Sequence, residues 1–183
     1  MALSLADIEW LLLHKGDAQY SGEPVTQREH ALQSAWLAEQ AGADDALITA
    51  ALLHDLGHLL NDQGETPTLR GIDDLHQFVA LPFLRGVFPD RVLDAISLHV
   101  DAKRCLCATQ PGYLEALSAD SQRSLALQGG VFDAAQTAAF HARPHAAEAL
   151  RLRLWDDQAK QPHLETPSLA HYLAIARRCS LNP

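Results

Sequence analysis

Apolar residues recur at intervals of three or four along most of the chain, which is the spacing of amphipathic α-helices. The strict alternation typical of β-strands is absent from the sequence. Pro82 interrupts one apolar segment and is expected to bend or end that helix. The later segments begin with a capping residue or a proline, as helices do. The pattern therefore predicts an all-α protein with helices over 3–14, 27–41, 44–60, 73–85, 89–102, 118–127, 133–140, 144–154 and 168–178.

Two connecting segments, 16–26 and 61–72, are long enough to suggest a function, although the sequence assigns no role to 61–72. The chain shows no internal repeat and no interdomain linker. Its 183 residues should bury roughly 70% of the surface of the unfolded chain, which is enough for one core. We therefore predict a single compact domain over 1–183, with its chemistry between helices.

The charge balance is acidic, with 14 Lys and Arg residues against 23 Asp and Glu residues and a formal net charge of -9. Such a surface repels phosphate backbones and anionic lipids, so nucleic acid and membranes are disfavoured as partners. No apolar run reaches the roughly 20 residues that span a bilayer. An anionic small molecule could bind where basic groups are concentrated, and Lys103 and Arg153 are the candidates.

The three cysteines are Cys105, Cys107 and Cys179, an odd number without the spacing of a disulfide framework. A secretory leader would have a basic stretch before an apolar core, and the first ten residues show no such stretch. Cys105 and Cys107 lack a second Cys or His pair at zinc-site spacing, so ordinary thiols are favoured over a soft-metal site. Together these features predict a reducing, cytoplasmic location.

The sharpest polar signal is His54-Asp55 with His58, set in the apolar segment 51–58. On one helix, His54 and His58 would share a face and Asp55 would lie about 100° away. A buried, unpaired carboxylate costs several kcal/mol, which a metal ion would offset. The alternative is that His54 and Asp55 only hydrogen-bond neighbouring helices.

Four more hard or borderline ligands lie in or beside other predicted helices, namely His30, His76, His99 and Asp156. Six side chains are enough for two metal ions that share a carboxylate at a separation of roughly 3.5–4 Å. Imidazole and carboxylate ligands without thiolate suit iron, manganese or zinc, so ligand type alone does not name the metal.

The order of these residues resembles the HD-domain superfamily of metal-dependent phosphohydrolases, in its branch with two metals. The resemblance implies an HD-domain helical bundle with a dinuclear site between helices. Asp55 would bridge the two ions in this arrangement. One ion would be bound by His30, His54, Asp55 and Asp156, and the other by Asp55, His76 and His99.

Further motifs extend the match from about Tyr20 to Tyr172: Tyr20-Ser21-Gly22-Glu23, the His-Asp-Leu-Gly-His run that ends at His58, Lys103-Arg104, Gln128-Gly129-Gly130 and Arg153-Leu154-Trp155-Asp156. With them the chain resembles the mixed-valent diiron oxygenases of organophosphonate catabolism, relatives of myo-inositol oxygenase. Trp36, Asp101 and the loosely matching segment 133–150 depart from what each member of that group is expected to have.

The resemblance implies two iron ions in an Fe(II)/Fe(III) state, with dioxygen as co-substrate. The implied reaction is cleavage of the carbon–phosphorus bond of a 1-hydroxy-2-aminoethylphosphonate-type substrate, giving phosphate and glycine or an N-methylated glycine. The number of methyl groups on the amine and the oligomeric state are left open. An upstream hydroxylase would supply the substrate metabolically, and no stable protein complex is expected.

The resemblance also assigns roles to residues outside the ligand set. Tyr20 would occupy an open iron position until substrate binds, and Glu23 would face the cationic amine and move with Tyr20. His58 would donate a hydrogen bond near the metal. The phosphonate would be surrounded by Lys103, Ser121, Gln128 and Arg153.

Each of these residues also has a purely structural interpretation. Lys103 and Arg153 could lie on solvated helix faces, Ser121 could cap a helix and Gln128 could end one. Tyr20 could be a packed hydrophobe with a wet hydroxyl. Trp36, among apolar neighbours, is typical of a core residue, or it could offer its ring face to a methylated ammonium.

Two other functions compete with the oxygenase. The same ligands holding redox-inert metals could activate water against a small phosphate ester, as in an HD-domain phosphohydrolase. The chain could also be a catalytically silent regulatory module. The presence of all six ligand residues argues against the silent module, and Tyr20, Glu23 and Lys103 argue against the hydrolase.

Overall fold

A computed structural model describes residues 2–20, 22–61, 64 and 66–182, and within these residues the all-α prediction is confirmed. The described residues form no β-strand, only the isolated bridges Gln19–Thr26 and Arg85–Phe88. The helices are α1 (Leu5–His14), α2 (Gln27–Gln40), α3 (Asp45–Leu53), α4 (Leu56–Leu60), α5 (His76–Val79), α6 (Leu81–Leu84), α7 (Asp90–Thr109), α8 (Tyr113–Ala116), α9 (Ala119–Leu127), α10 (Ala134–His141), α11 (Ala146–Gln158) and α12 (Leu169–Cys179), with a 3-10 turn at Pro67–Arg70.

Side-chain caps fix the starts of the first three helices. Ser4 and Thr26 each form a capping box with the acidic residue three positions later, and Asp44 accepts a hydrogen bond from the backbone N–H of Leu47. These contacts satisfy N–H groups that lack a partner in the first turn of a helix. The predicted starts of α1, α2 and α3 accordingly lie within two residues of the observed ones.

The core is built around α3, which packs against α2, α7, α11 and α12. Ala50, Ala51 and Leu53 on α3 are completely buried. The small side chains of Ala50 and Ala51 let the neighbouring helices approach closely. Four helices, α2, α3, α7 and α11, therefore surround the segment that carries His54 and Asp55.

No helix in the described ranges is both long enough and apolar enough to cross a bilayer.

The predicted single helix over 44–60 is wrong, because the chain breaks between α3 and α4. Asp55 has φ -103° and ψ 11°, outside helical geometry, and the helix resumes at Leu56. His54 and His58 therefore do not share one continuous helical face. The break accompanies a close approach, since a Cβ on Gly57 would lie 2.0 Å from the backbone oxygen of His76.

The predicted helix over 73–85 is likewise two short helices, α5 and α6. Leu75 adopts the left-handed conformation, with φ 52°, immediately before α5. The side chain of Asp74 stabilises this turn by accepting hydrogen bonds from the backbone N–H and the Nδ1 atom of His76. Pro82 lies in the first turn of α6, so it begins this helix and does not bend one.

Two helices continue beyond their predicted ends, and one short helix was not predicted. α7 runs to Thr109 because Cys105 and Leu106 extend its buried face, which brings Lys103 onto the same helix as His99. α11 runs to Gln158, so Asp156 lies within that helix and not after it. The four residues of α8 are too few to show a helical period.

Candidate metal centre

The six predicted ligand residues come together at the centre of the helix assembly. His30 comes from α2, His99 from α7 and Asp156 from α11. His54 and Asp55 lie at the junction of α3 and α4, and His76 begins α5. All six side chains are buried. Residues separated by up to 126 positions in the sequence thus face one another in a region closed to solvent.

One group of ligand atoms comprises His30, His54 and Asp156. The Nε2 atoms of His30 and His54 are 3.2 Å apart. His30 Nε2 lies 3.5 Å from Asp156 Oδ1, and His54 Nε2 lies 3.9 Å from Asp156 Oδ2. Atoms that bind one ion at about 2.1 Å lie within about 4.2 Å of each other, so this spacing suits a shared ion.

A second group comprises Asp55, His76 and His99. The Nε2 atoms of His76 and His99 are 3.0 Å apart and lie 3.4 and 3.6 Å from Asp55 Oδ1. The other oxygen, Asp55 Oδ2, lies 3.5 Å from His30 Nε2 and 3.4 Å from His54 Nε2. Asp55 thus faces both groups, one oxygen to each, which is the position of a bridging carboxylate.

The hydrogen bonds of the four imidazoles determine which ring nitrogen carries the proton. The Nδ1 atoms of His30, His54 and His99 each face a backbone carbonyl at 2.7–2.9 Å, and that of His76 faces the carboxylate of Asp74 at 2.8 Å. Carbonyl and carboxylate oxygens accept hydrogen bonds, so Nδ1 must donate. In the neutral rings every Nε2 then carries a lone pair, and the short contacts between Nε2 atoms are between acceptors.

The protonation of the site supports the same interpretation. Burial lowers the pKa of His54 and holds that of His99 well below its usual range, so both rings are neutral at neutral pH. Burial would raise the pKa of Asp55, but the surrounding histidines outweigh it and hold the pKa well below the usual value. Arg153 and the histidines likewise lower the pKa of Asp156 against the effect of burial.

Three buried carboxylate oxygens of the ligand groups have no hydrogen-bond donor in the described chain, an environment that suits a cation. Among the described residues, no group donates a hydrogen bond to either oxygen of Asp55 or to Asp156 Oδ1. Leaving such charges uncompensated is costly, and converging imidazole lone pairs add to the negative potential. Two divalent or trivalent ions would satisfy all of these atoms together. The residues therefore fit a dinuclear centre.

Asp74 is a functional residue that the sequence analysis missed. Its Oδ2 atom is 2.6 Å from Nδ1 of His58, and its Oδ1 atom is 2.8 Å from Nδ1 of His76. The two imidazole rings stack with their centroids 4.1 Å apart. Burial opposes ionisation of Asp74, but His58 and His76 hold its pKa far below the usual value. Carboxylates that orient metal-binding histidines are a recurring feature of metal sites, and Asp74 two positions before His76 was the available signal.

A cavity opens beside the second ligand group and contains most of the predicted substrate residues. Part of the 61–72 segment, including Pro67, Thr68 and Ile72, forms one wall, although residues 62, 63 and 65 lie outside the described part of the chain. The predicted residues that line the cavity are Tyr20, His58, Lys103, Ser121, Gln128 and Arg153. Glu23 is the predicted substrate residue outside this lining.

Lys103 is buried, so its interpretation as a residue on a solvated helix face is wrong. Its Nζ atom donates to Ser124 Oγ at 2.7 Å, and no described carboxylate forms an ion pair with it. Burial, together with repulsion from Arg153, lowers the pKa of Lys103 to about 7. A buried ammonium without a counter-ion makes this part of the cavity suitable for an anion.

Arg153 is also buried, and its guanidinium is anchored at several points. Its NH1 atom lies 2.7 Å from Asp156 Oδ2, and its Nε and NH2 atoms contact Asp157 and the hydroxyl of Tyr113. Burial opposes the charge, but Asp156 and Asp157 hold the pKa of Arg153 well above its usual value. Arg153 therefore orients the ligand Asp156 in addition to lining the cavity.

Ser121 and Gln128 lie at opposite ends of α9. Ser118, not Ser121, is the capping residue of this helix, and the Oγ atom of Ser121 lies 3.5 Å from Arg153 NH2. Gln128 does end α9, as its structural interpretation expects, but its Oε1 atom is buried without a donor among the described residues. Both side chains retain polar atoms that a ligand could contact.

Tyr20 covers the first ligand group. Its ring stacks on the imidazole of His30, with centroids 3.8 Å apart and an interplanar angle of 12°. Burial raises the pKa of the Tyr20 hydroxyl well above its usual value, and the carboxylates of Asp156 and Asp55 add to the effect. Ser21, part of the same motif, lies outside the described residues. The tyrosine is thus both packed, as its structural interpretation expects, and next to a metal ligand.

Glu23 forms an ion pair with Lys160, a residue that the sequence analysis did not consider. Glu23 Oε1 lies 3.1 Å from Lys160 Nζ.

Trp36 packs against the main apolar cluster and is not part of the cavity lining in the described chain, which favours its interpretation as a core residue. Asp101 lies 3.5 Å from Arg104 NH1 in an i, i+3 ion pair. The three cysteines are free thiols outside both ligand groups.

Comparison with known proteins assigns the family. The HD domain profile matches residues 28–176. A [1-hydroxy-2-(trimethylamino)ethyl]phosphonate dioxygenase (glycine-betaine-forming) of Leisingera caerulea is 40% identical over 164 residues, covering 90% of this chain and 84% of the relative. A hydroxymethylphosphonate dioxygenase of Gimesia maris is 42% identical over 170 residues, covering 92% of this chain and 84% of the relative. The HD profile covers most of the chain, and the chain therefore belongs to the HD-domain family.

Proposed function

We propose that this protein is an iron-dependent dioxygenase that cleaves the carbon–phosphorus bond of a 1-hydroxy-2-aminoethylphosphonate-type substrate. The observation that carries the proposal is the position of Lys103, a buried ammonium without a carboxylate partner in the described chain, in the cavity beside the dinuclear ligand set. The two relatives act, by their names, on 1-hydroxyphosphonates. We also propose that residues 1–183 form one HD domain, and that the protein acts in the cytoplasm without a stable partner protein.

The overall reaction balances without a further reductant. The substrate loses the C–H and C–P bonds at its hydroxyl-bearing carbon, and dioxygen accepts four electrons. The carboxylate and phosphate products each contain one oxygen atom more than the corresponding part of the substrate. An aminoethyl substrate gives glycine, an N-methylated one gives the N-methylated glycine, and a proton is released in each case.

The metal centre would be held by two overlapping ligand sets. His30, His54 and Asp156 would bind one iron, His76 and His99 the other, and Asp55 would bridge them. When bound, an Fe(II)/Fe(III) pair would supply Lewis acidity toward the substrate hydroxyl and phosphonate oxygens and the redox capacity to use dioxygen. The dioxygenase relatives support iron over zinc, because zinc has no redox chemistry to offer dioxygen.

The protein's own contribution is to bind and orient the phosphonate. The ammonium of Lys103 neutralises one phosphonate charge and gains the counter-ion that the free protein lacks. Ser121 and Gln128 also line this cavity and supply further polar side chains. Arg153 fixes Asp156 and adds positive potential. These contacts place the hydroxyl-bearing carbon beside the metal ligands.

His58 is suited to donate a proton near the metal centre. Asp74 holds its Nδ1 atom, while its Nε2 atom lies 3.9 Å from Asp55 Oδ2 and faces the cavity wall. Burial opposes protonation of His58, but Asp55 and Asp74 outweigh it and raise its pKa. A protonated His58 donates from Nε2 to a substrate or product oxygen.

Tyr20 acts as a movable cover. Because its ring lies on His30, it shields the first ligand group from solvent until substrate arrives. Tyr20 and Glu23 belong to one short loop, so displacement of either residue moves the other.

Oxygen dependence distinguishes this function from phosphohydrolysis. Protein purified anaerobically and loaded with iron is mixed with 2-amino-1-hydroxyethylphosphonate, with or without dioxygen, and phosphate and glycine are measured. We expect both products in equal amounts, with dioxygen only. Electron paramagnetic resonance of the same sample should give a coupled ferrous–ferric signal that the substrate perturbs. Phosphate release without dioxygen, or from a phosphate ester alone, would establish a hydrolase instead.

A further inference from the structure

Lys160 lies at the junction of the metal centre, the covering loop and the cavity wall. It follows the end of α11, and its Nζ atom contacts Glu23 Oε1 at 3.1 Å and the hydroxyls of Ser118 and Ser121 at 3.3 and 3.4 Å. The same ammonium lies 5.9 Å from the centroid of the Tyr20 ring. Its side chain is 12% exposed, and that of Glu23 is 13% exposed. Lys160 is therefore largely enclosed.

The backbone on both sides of Lys160 is fixed to helix α2. The carbonyl of Ala159 accepts the hydrogen bond from Nδ1 of the metal ligand His30. Gln161 is held by two hydrogen bonds to the side chain of Gln33, at 2.8 and 3.0 Å. The base of the Lys160 side chain is thus anchored to the helix that carries His30, and its long stem points the ammonium at Glu23.

This ammonium occupies the place proposed for the substrate's amine. Under the proposed function, Glu23 would bind a cationic amine two carbons from phosphorus, but its carboxylate already has a cation from the protein. Two ammonium groups on one carboxylate repel each other in a site of low solvent access. A substrate amine can reach Glu23 only if Lys160 withdraws.

We propose that Lys160 is a specificity-determining residue that competes with the substrate amine for Glu23 and thereby favours amine-free hydroxyphosphonates over amine-bearing ones. The inference rests on the proposed carbon–phosphorus bond cleavage; it adds amine-free 1-hydroxyphosphonates to the aminoethyl compounds as substrates and makes them the preferred class. With an amine-free compound Lys160 stays on Glu23, and its hydrogen bond to Ser121 adds positive potential on the phosphonate side of the cavity. Specificity then arises from repulsion of one substrate class as well as attraction of the other.

The test compares two substrates in matched variants. Lys160→Met removes the charge and keeps most of the stem, and Lys160→Arg keeps the charge. For each variant kcat/KM is measured with 2-amino-1-hydroxyethylphosphonate and with hydroxymethylphosphonate. We expect Lys160→Met to raise the ratio of the amine-bearing to the amine-free substrate by at least about tenfold, mainly through KM, and Lys160→Arg to restore the wild-type preference. Arg178→Met, which removes an exposed cation paired with Asp45, serves as the charge-matched control.

Anaerobic binding to the iron-loaded protein provides a second readout that does not need turnover. Dissociation constants for both compounds are measured by calorimetry in the same variants. If both compounds bind but neither releases phosphate with dioxygen, the proposed function fails, while the ratio of dissociation constants still tests Lys160. An unchanged ratio in Lys160→Met, or an equal loss for both compounds as from a merely loosened loop, would overturn the specificity role. Failure of both compounds to bind any variant would overturn both proposals.

Discussion

Asp74 accepts a hydrogen bond from Nδ1 of His76 at 2.8 Å and so fixes the ring whose Nε2 atom faces His99. Because orienting carboxylates make metal-binding imidazoles better ligands, Asp74→Asn should weaken metal binding at the second ligand group by about 10–100-fold. The first group should keep its affinity. Metal titration of the apoprotein, followed by elemental analysis, measures both. Asp73→Asn is the matched neighbour, and equal binding by the two variants would contradict the role of Asp74.

Removing the carboxylate of Asp55 should lower the metal content and the activity more than removing any neighbouring charge. Asp55→Ala eliminates a ligand from both groups at once, so we expect loss of both metals and of activity. Asp101→Ala, which removes a carboxylate paired with Arg104 and Arg143 outside both ligand groups, should retain two metals per chain. Elemental analysis of both variants provides the measurement. Two metals bound to Asp55→Ala would refute the bridging assignment.

Metal binding should stabilise the fold, because three of the four ligand carboxylate oxygens have no hydrogen-bond donor among the described residues. A site saturated at 100 times its dissociation constant adds about 2.7 kcal/mol to the free energy of unfolding. For a chain of this length such a gain raises Tm by roughly 5–10 °C. Thermal unfolding of chelator-treated protein, with and without anaerobic Fe(II), tests this expectation. A Tm that does not respond to Fe(II), Mn(II) or Zn(II) would speak against a metal centre between these helices.

Lys103→Met should stabilise the free protein and weaken phosphonate binding. The pKa of Lys103 in the folded protein is about 7, below its value of about 10.4 in the unfolded chain. Between these values the unfolded state holds more protons, so stability rises with pH and the cost of burying the charge is fully present below pH 7. At pH 7 the variant should gain on the order of 3 kcal/mol, a difference that shrinks toward pH 10.

Although Lys103→Met should stabilise the free protein, the same substitution should weaken phosphonate binding. We expect Lys103→Met to lose at least about tenfold in affinity, since a hydrogen bond to a charged group contributes roughly 1.5–3 kcal/mol. Denaturant unfolding across the pH range and anaerobic calorimetry measure the two effects, with Arg178→Met as the control. Unchanged phosphonate affinity would remove Lys103 from the binding site, whatever the stability result.

Gly57→Ala should damage both the fold and the second ligand group. The added Cβ would lie 2.0 Å from the backbone oxygen of His76, so α4 and α5 must separate. We expect a loss of about 1–3 kcal/mol in unfolding free energy together with weaker metal binding. In Gly112→Ala the new Cβ meets nothing within 4 Å, but φ is 78°, which makes this variant a control for backbone strain alone. Normal metal binding by Gly57→Ala would contradict the coupling.

The long helices and the convergence of six candidate ligands could be predicted from the sequence, for two different reasons. Long amphipathic segments such as α7 and α12 carry the helical period in the spacing of their apolar residues. The ligands are chemically conspicuous, because His54 and Asp55 have little reason to lie in an apolar segment unless a cation compensates them. Their convergence from five separate parts of the fold agrees with that expectation.

The parts that escaped prediction are those that depend on tertiary contacts. The break at Asp55 follows from packing of α4 on the backbone of His76, which no local pattern encodes. Asp74 and Lys160 act on groups whose proximity appears only in the folded chain, and on the sequence each is one polar residue among many. Glu23 was assigned from its motif alone, so its ion pair with Lys160 could not be anticipated.

The backbone carbonyls that hold Nδ1 of His30, His54 and His99 aim these rings before any ion arrives. Imidazole and carboxylate ligands bind zinc(II) at least as tightly as iron(II), so a cage of these ligands does not by itself exclude zinc. The metal ions available during biosynthesis then determine which ion the site binds. Overproduction in zinc-rich medium should consequently yield well-folded but inert protein, and reconstitution from the chelated state should be the dependable route to active enzyme.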